Sequence, residues 1–217
     1  MATHKKVAAP AQADVKRLVL DAAIAIIAHD GPDSLSMREV ARRADISHQA
    51  PYHHFHDRAG IFAAISEEGF RQFTQEFRAV LDSTRQPLAD GLRAYVNFAM
   101  SHRGHFRVMF RSDICGVSTH DATRLAADEA FLTLLDFATL VDPRTKSPTE
   151  SLSLPVLLWS QAHGLATLLI DGPLTQKLPP EVSIDHLITS VGELITASMA
   201  TSTTGREPDP RTKSRPK

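Results

Sequence analysis

Every periodic stretch of this chain has the helical period, and this feature restricts its fold more than any other. Apolar residues recur three and four positions apart, whereas no segment shows the alternation of a half-buried strand. In the first such stretch, Val15, Leu18, Val19 and Ala22 lie on one stripe of a helix. The pattern therefore predicts an all-α protein.

The breaks between the periodic stretches predict about nine helices. Gly31 and Pro32 end the first helix, and Ser36 and Glu39 have the spacing of a capping box that starts the second helix near Met37. A short third helix follows residue 47. The other predicted helices span residues 14–29, 57–81, 88–102, 104–112, 118–140, 152–171 and 183–200.

The segment ISHQAPYHHFHDRAGIF, residues 46–62, follows the second helix directly. We expect a tight turn at Asp45, with Ser47 or His48 as the N-cap of the third helix. Pro51 fits in the first turn of that helix, where backbone N–H groups have no intrahelical partner, so it costs far less than the roughly 3 kcal/mol of an interior proline. Two short helices joined by a three-residue turn form a helix-turn-helix.

Composition predicts a soluble, cytoplasmic protein. No apolar run approaches the roughly 18 residues that a membrane span needs, and residues 1–12 lack the apolar core of a signal peptide. Cys115 is the only cysteine, so neither an internal disulfide nor secretion is indicated. The net charge of −1 argues against a uniformly basic nucleic-acid binder, so any such function must come from local clusters.

These motifs resemble the tetracycline-repressor (TetR) family of transcriptional regulators. The stretch SLSMREVARRADISHQAPYHHFHDRAGIF and the helix before it are similar to that family's DNA-binding domain over residues 14–62. The second half resembles a TetR subgroup with Trp, His and Gly on the penultimate helix, here Trp159, His163 and Gly164. The family usually has glycine where Asp45 stands, but aspartate tolerates a left-handed backbone better than most residues.

The resemblance implies an N-terminal three-helix bundle with a helix-turn-helix and a C-terminal helical domain for ligand binding and dimerisation. We expect a flexible arm at residues 1–13, the DNA-binding domain at 14–62 and the second domain at 63–200. Residues 201–217 have almost no apolar side chains, so a disordered tail is expected there.

The resemblance places DNA contacts on the second helix, the third helix and the start of the fourth. Ser36 and Arg38 match positions that meet phosphate oxygens, although capping and solvation explain them equally simply. Gln49 has the amide that suits bidentate pairing with adenine. The expected DNA-binding set is Ser36, Arg38, Ser47, His48, Gln49, Ala50, Tyr52, His53, His54 and Arg58.

The resemblance also implies a homodimeric repressor that binds a palindromic double-stranded operator and is released by a small, largely apolar effector. The candidate pocket residues, each of which is alternatively plain core, are Tyr95, Phe98, His105, Met109, Phe110, Phe131, Trp159 and His163. Small and apolar residues on the last two helices predict a dimer interface or, alternatively, the closure of an intrachain core. They are Ala162, Ala166, Ile170, Ile184, Leu187, Ile188, Val191, Leu194 and Ile195.

Scattered histidines leave metal-binding alternatives. One alternative is a metal site at His53, His54, His56 and Asp57. However, His53 and His54 point about 100° apart on a helix, and no i, i+4 pair of histidines supplies a zinc-type face. A metal sensor, a redox sensor or a helical metal-dependent hydrolase in the second domain would draw on His102, His105, Cys115, His120 and His163. The chain has neither a phosphate-binding glycine loop nor a nucleophile elbow, so we expect no enzyme, no cofactor and no metal.

Overall fold

In the computed structural model the described residues are 12–143 and 152–204, with side chains described for 14–143 and 152–199. They form nine α-helices, a short 3₁₀ turn at Pro32–Ser34 and no strand, which confirms the all-α prediction. The helices are α1 (Gln12–Asp30), α2 (Met37–Arg43), α3 (Ala50–Phe55), α4 (Arg58–Leu81), α5 (Pro87–Ser101), α6 (Arg103–Met109), α7 (Asp121–Val141), α8 (Ser153–Ile170) and α9 (Ile184–Thr204).

The two chain ends differ from the predicted boundaries where they can be compared. Residues 12 and 13, assigned to the arm, are already helical, and α9 continues through residues 201–204, which were assigned to the tail. The rest of both segments, residues 1–11 and 205–217, lies outside the described residues, as do residues 144–151.

Helices α1, α2 and α3 close around the first turns of α4. Their buried side chains form one hydrophobic cluster that includes Ile26, Val40, Phe55 and Ile61. Val108 of α6 belongs to the same cluster. The N-terminal bundle is therefore completed by a residue from the middle of the chain.

The turn between α2 and α3 has the left-handed residue that the sequence analysis expected. Asp45 has φ 53°, while Ile46 N–H donates to Ala41 O at 3.1 Å and Asp45 N–H to Arg42 O at 3.4 Å. These two bonds form a Schellman motif, which satisfies carbonyl groups at the end of α2. The predicted cap of α3 was wrong, because the helix starts at Ala50 with Gln49 as N-cap.

The junction between α3 and α4 is equally tight. His56 has φ 63°, and the Asp57 carboxylate accepts a hydrogen bond from Gly60 N at 2.9 Å, which caps α4. A Cβ at position 60 would collide with the carbonyl oxygen of Phe55. Only glycine therefore fits at this position, and α4 leaves α3 at a fixed angle.

A second hydrophobic cluster fills the remainder of the chain. Helix α4 runs through it and packs against α5, α6 and α7, and α5 also packs against α8 and α9. Helix α6 lies against α1 as well as α4. A Cβ at Gly104 of α6 would stand 2.5 Å from Ile24 O, so this contact between α6 and α1 needs a glycine.

Helix α8 corrects one expectation about composition. Over Ser153–Ile170 it is long and apolar enough, by length and composition alone, to cross a membrane. A core helix of a soluble protein passes the same test, and Leu158, Ala166 and Leu169 are indeed buried inside the chain.

Candidate functional site

Helix α3 and the two residues before it expose a polar surface, and the opposite face of α3 is buried. His48, Gln49 and His53 are exposed, and Tyr52 is 47% exposed. The opposite face is anchored in the N-terminal cluster by buried Phe55. The exposed groups are an amide, two imidazoles and a phenol, which can donate to or accept from base edges and phosphate oxygens.

The neighbouring candidate residues take less uniform positions. Ser47 is exposed, whereas Ala50 and His54 are half-buried. The Ser36 hydroxyl accepts a hydrogen bond from Glu39 N at 3.2 Å, so it caps α2 as its spacing predicted. Arg38 is exposed on the first turn of α2.

Arg58 has a structural contact that the sequence did not indicate. Its Nη2 donates to Pro32 O at 2.6 Å, and its guanidinium lies 4.9 Å from the centre of the Phe62 ring. The Nε atom is buried without a hydrogen-bond partner. Arg58 therefore ties the start of α4 to the 3₁₀ turn, in addition to any phosphate contact.

Two arginines of α2, Arg42 and Arg43, form ion pairs with carboxylates. Arg42 donates two hydrogen bonds to Glu39, and Arg43 bridges Glu39 and Asp30 at 2.8 Å each. Hydrogen bonds from Arg42 and then Arg43 lower the pKa of Glu39 to about 2. The positive charge of α2 is thus largely paired, and Arg38 is the arginine of this helix most available to a phosphate.

An apolar cavity of about 290 Å³ lies between α4, α5, α6, α7, α8 and α9. None of its lining residues carries a formal charge. The lining consists of Phe70, Phe73, Phe77, Leu88, Gly91, Leu92, Tyr95, Met109, Phe110, Ser112, Cys115, Val117, Ala127, Ala130, Phe131, Leu134, Phe137, Leu158, Trp159, Gln161, Ala162 and Ile195.

A chain of three side chains forms the polar end of the cavity. Trp159 Nε1–H donates to the Tyr95 hydroxyl at 3.1 Å, and that hydroxyl is 2.9 Å from His163 Nδ1. Because the indole only donates, the hydroxyl hydrogen is free to go to Nδ1; in that tautomer the neutral His163 ring has its proton on Nε2. Burial raises the pKa of Tyr95 and lowers that of His163, so both groups are neutral at pH 7.

Three of the eight predicted pocket residues do not line this cavity. Phe98 is 2% exposed and packs in the core against Phe73 without lining the cavity. His105 is buried elsewhere, and His163 lies behind Tyr95. The other five, which do line it, are Tyr95, Met109, Phe110, Phe131 and Trp159.

Most of the wall was missed because its residues are small or belong to helices read as core. Ala127, Ala130, Leu134 and Phe137 share one stripe of α7, and Gly91 faces Phe137 from α5. Small residues at helical spacing are compatible with either close helix packing or an open space. The sequence signal was therefore present but ambiguous.

His105 joins three helices through hydrogen bonds. Its Nε2 is 3.1 Å from Glu68 of α4, and Arg17 of α1 donates to the other oxygen of Glu68 at 2.6 Å. Burial lowers the pKa of His105, and the hydrogen bond to Glu68 opposes that shift in part. The trio links the N-terminal bundle to α4 and α6.

The predicted dimer residues divide between the core and the surface. Ala162, Ala166, Ile170 and Ile188 are at most 6% exposed and belong to the chain's own core, so they offer no surface to a partner. The physical reason is that α8 is apolar on all sides, and its small residues face inward. Ile184, Leu187, Val191 and Ile195 are half-buried.

A different apolar face of these helices is exposed. Val156, Leu157 and Leu168 of α8 are 45–47% exposed, and Leu194 of α9 is 69% exposed. Gly164 lies on the same side of α8, and a Cβ there would meet no atom within 4 Å.

Within the described residues, no group of three or more His, Cys, Asp or Glu side chains is arranged to hold a metal ion. His102 is instead 3.1 Å from Glu76, and His120 is 2.9 Å from Thr119.

Two sequence models of one family match the chain. Residues 19–65 match "Bacterial regulatory proteins, tetR family", and residues 88–191 match "Tetracyclin repressor-like, C-terminal domain". The chain belongs to the TetR family. It is thus a DNA-binding transcriptional regulator whose C-terminal domain binds ligands.

Solved structures share the TetR fold across nearly the whole chain. A Rhodococcus sp. RHA1 protein of unknown function has a TM-score of 0.67 and 24% identity, covering 90% of this chain and 98% of its own. A TetR-family regulatory protein from Rhodococcus RHA1 has a TM-score of 0.61 and 18% identity, with 84% and 95% covered. AibR, solved with isovaleryl coenzyme A and operator DNA, has a TM-score of 0.58 and 14% identity, with 85% and 97% covered. No curated protein matches the chain in sequence.

Proposed function

We propose that this TetR-family regulator is a cytoplasmic, homodimeric repressor that binds a palindromic operator and is released by a small, neutral, largely apolar effector. The observation that carries the proposal is the path of α4. Only two residues separate this helix from the end of α3, and it presents Phe70, Phe73 and Phe77 to the cavity. One rigid helix thus connects the apolar cavity with the exposed residues His48, Gln49, Tyr52 and His53, which we call the reading face.

In the proposed complex, α3 lies in the major groove. Gln49, His48 and His53 contact base edges, whereas Tyr52 and Arg38 contact phosphates. The DNA is also contacted at the edge of this surface by Ser36, Ser47 and His54. The small side chain of Ala50 lets the DNA approach α3 closely. Arg58 Nη2 already donates a hydrogen bond to Pro32 O, so the main effect of this arginine is to hold α4 in place.

The proposed dimer uses the exposed apolar face of α8 and α9. Its centre is formed by Leu157, Gly164 and Leu168 of α8, and Leu194 contributes from α9. The open position at Gly164 allows a partner helix to approach closely, and helices from two subunits would form a four-helix interface. Two reading faces related by a twofold axis would then meet two half-sites.

The chemistry of the cavity supports a neutral effector. An ionised group placed there would lose its hydration and find no opposite charge in the lining, which is costly. The Tyr95 hydroxyl already accepts from Trp159 and donates to His163, so few hydrogen bonds remain for a ligand. An aromatic or branched hydrocarbon skeleton fits this lining best.

We also propose that Trp159, His163 and Gly164 mark a TetR subgroup.

Effector binding would act on α3 through α4 and α6. Met109 lines the cavity, and a Cβ at Gly69 of α4 would lie 2.7 Å from its sulfur, so α6 and α4 are in close contact there. A ligand that displaces Met109 therefore pushes on both helices. The separation of the two recognition helices in the dimer then changes, and the operator is released.

The DNA half of the proposal is tested by selecting duplexes from genomic fragments and titrating them at several salt concentrations. We expect a palindromic preference and an affinity that falls steeply with salt. Gln49→Ala should lower discrimination at one base position by about 1–3 kcal/mol. Gln75→Ala, an exposed glutamine on α4, is the matched control and should change nothing. Binding without sequence preference at moderate salt would refute this half.

The effector half is tested with naphthalene as a neutral apolar probe. We expect naphthalene to raise the melting temperature and to weaken operator binding. Ala130→Phe fills the cavity and should abolish both effects, whereas Ala122→Phe on the exposed side of α7 should preserve them. Stabilisation without any change in DNA affinity would show that the cavity and the reading face are not coupled.

A further inference from the structure

A polar groove of about 490 Å³ lies between the N-terminal bundle and the second cluster, and Phe110 is the one residue that lines both this groove and the apolar cavity. Residues 29–32, at the end of α1 and the start of the 3₁₀ turn, form one wall. Two carboxylates line the groove, and each already faces an arginine: Asp30 pairs with Arg43, and Asp171 lies 3.6 Å from Arg107. The facing wall comes from α6 and α8, with Phe106, Arg107, His163 and Thr167 among its residues. A molecule bound there would touch both the N-terminal bundle and the helices that surround the cavity.

Two guanidinium groups stand four positions apart on the α6 side of the groove. Arg107 Nη1 donates to Ile27 O and Ala28 O, while its Nη2 is 3.6 Å from the Asp171 carboxylate. Arg111 donates to both oxygens of the Asp113 carboxylate, from Nε at 3.2 Å and from Nη2 at 2.6 Å, and its Nη1 is 3.9 Å from the Asp33 carboxylate. Carboxylates are thus the groups that both arginines already bind, and planar guanidinium groups suit them in particular.

The present carboxylate partners are held weakly. The Asp171 side chain is 53% exposed and the Asp113 side chain is 60% exposed. Exposed ion pairs contribute about 1 kcal/mol or less, because solvent screens them. A carboxylate of a ligand can therefore replace either partner, and the displaced aspartate returns to water.

The remaining wall supplies a donor and an aromatic surface. His163 lines the groove, and in the tautomer whose Nδ1 accepts from Tyr95 its Nε2–H can donate to an acceptor of the ligand. Phe106 stacks on the His163 ring at 5.1 Å, and Phe110 meets it edge-on at 4.9 Å. Both phenyl rings also line the groove, which gives a planar apolar ligand a surface to pack against.

We propose that this groove is a second ligand site, separate from the apolar cavity, and that it takes a small aryl carboxylate. The carboxylate binds Arg111 and Arg107, and the ring packs on Phe106 and Phe110. The wall at residues 29–32 is joined to α4 by the hydrogen bond from Arg58 to Pro32 O. Occupancy of the groove therefore bears directly on the position of the reading face.

The test is a calorimetric titration of the full chain with phenylacetate, and with phenylacetamide as its uncharged counterpart. We expect saturable binding of phenylacetate and much weaker binding of the amide. Arg111→Gln should lower the phenylacetate affinity about tenfold. Arg124→Gln is the matched control, since Arg124 is 48% exposed against 42% for Arg111 and also pairs with exposed aspartates. This variant should bind as the unmodified chain does.

A competition experiment locates the site. Saturating naphthalene should leave the Arg111-dependent binding of phenylacetate in place, because the groove and the cavity share only Phe110 among their lining residues. Displacement by naphthalene, equal binding of acid and amide, an unchanged affinity in Arg111→Gln, or no binding at millimolar phenylacetate would each overturn the proposal. Binding of phenylacetate that depends on Arg111, in a protein that fails to bind naphthalene, would uphold the groove and refute the effector cavity.

Discussion

Removing the Tyr95 hydroxyl tests the hydrogen-bond chain at the end of the cavity. In Tyr95→Phe, Trp159 Nε1–H loses its acceptor and His163 Nδ1 loses its donor. An unsatisfied buried polar group costs about 1–3 kcal/mol. Trp159 and His163 are both half-buried, so water reaches them in part and the lower part of that range applies. We expect a loss of about 1–2 kcal/mol in the free energy of unfolding, with little change in packing.

The assay is thermal and urea unfolding followed by circular dichroism. For a chain of this length, a loss of that size lowers the melting temperature by about 2–8 °C. Tyr52→Phe is the natural control, because Tyr52 is the only other tyrosine and is 47% exposed. In a Trp159→Phe background the orphaned indole donor no longer exists, so Tyr95→Phe should cost less there. An unchanged melting temperature in Tyr95→Phe, or an equal cost in both backgrounds, would refute the reasoning.

Three further results are expected. Gly60→Ala should destabilise the protein by about 2 kcal/mol or more in urea unfolding, because its Cβ collides with the Phe55 carbonyl. Leu168→Glu should halve the solution mass by light scattering with helicity retained, whereas Ile188→Glu should unfold the chain, because Ile188 is 0% exposed. Burial lowers the pKa of His105, so the unfolded state binds more protons and stability should fall as pH drops below about 6.5. His105→Gln should reduce this loss of stability at low pH, measured as melting temperature across pH. The expectations would be contradicted by a Gly60→Ala variant of unchanged stability, by an unmodified protein that is already monomeric, or by a His105→Gln variant whose stability has the same pH dependence.

The helix positions were predictable because their causes are local. Capping by Ser36, the left-handed turn at Asp45 and the proline in the first turn of α3 each depend on a few neighbouring residues. The reading face follows from the same pattern, since the exposed residues of α3 are those that do not fit the buried stripe. The N-cap of α3 differed by one or two residues, which is the usual uncertainty at a helix end.

The lining of the cavity and the burial of residues on α8 and α9 were predicted less well because their causes are not local. Helix α8 is apolar all round, so only the helices packed on it decide that Ala162 faces inward and Leu168 outward. Phe98 and Phe137 look alike in sequence, yet only Phe137 borders the space left beside Gly91. The contact of Arg58 with Pro32 spans 26 positions, and no periodic pattern indicates it.

Adjacent residues of α6 serve different halves of the molecule. Val108 completes the core of the N-terminal bundle, and Met109 borders the cavity. A fragment cut after α3, or after the first turns of α4, would leave an opening where Val108 packs. A chimeric regulator that joins these N-terminal helices to another protein's effector domain therefore has to carry α6 with them, or a replacement matched to Ile24 and to the opening that Val108 fills.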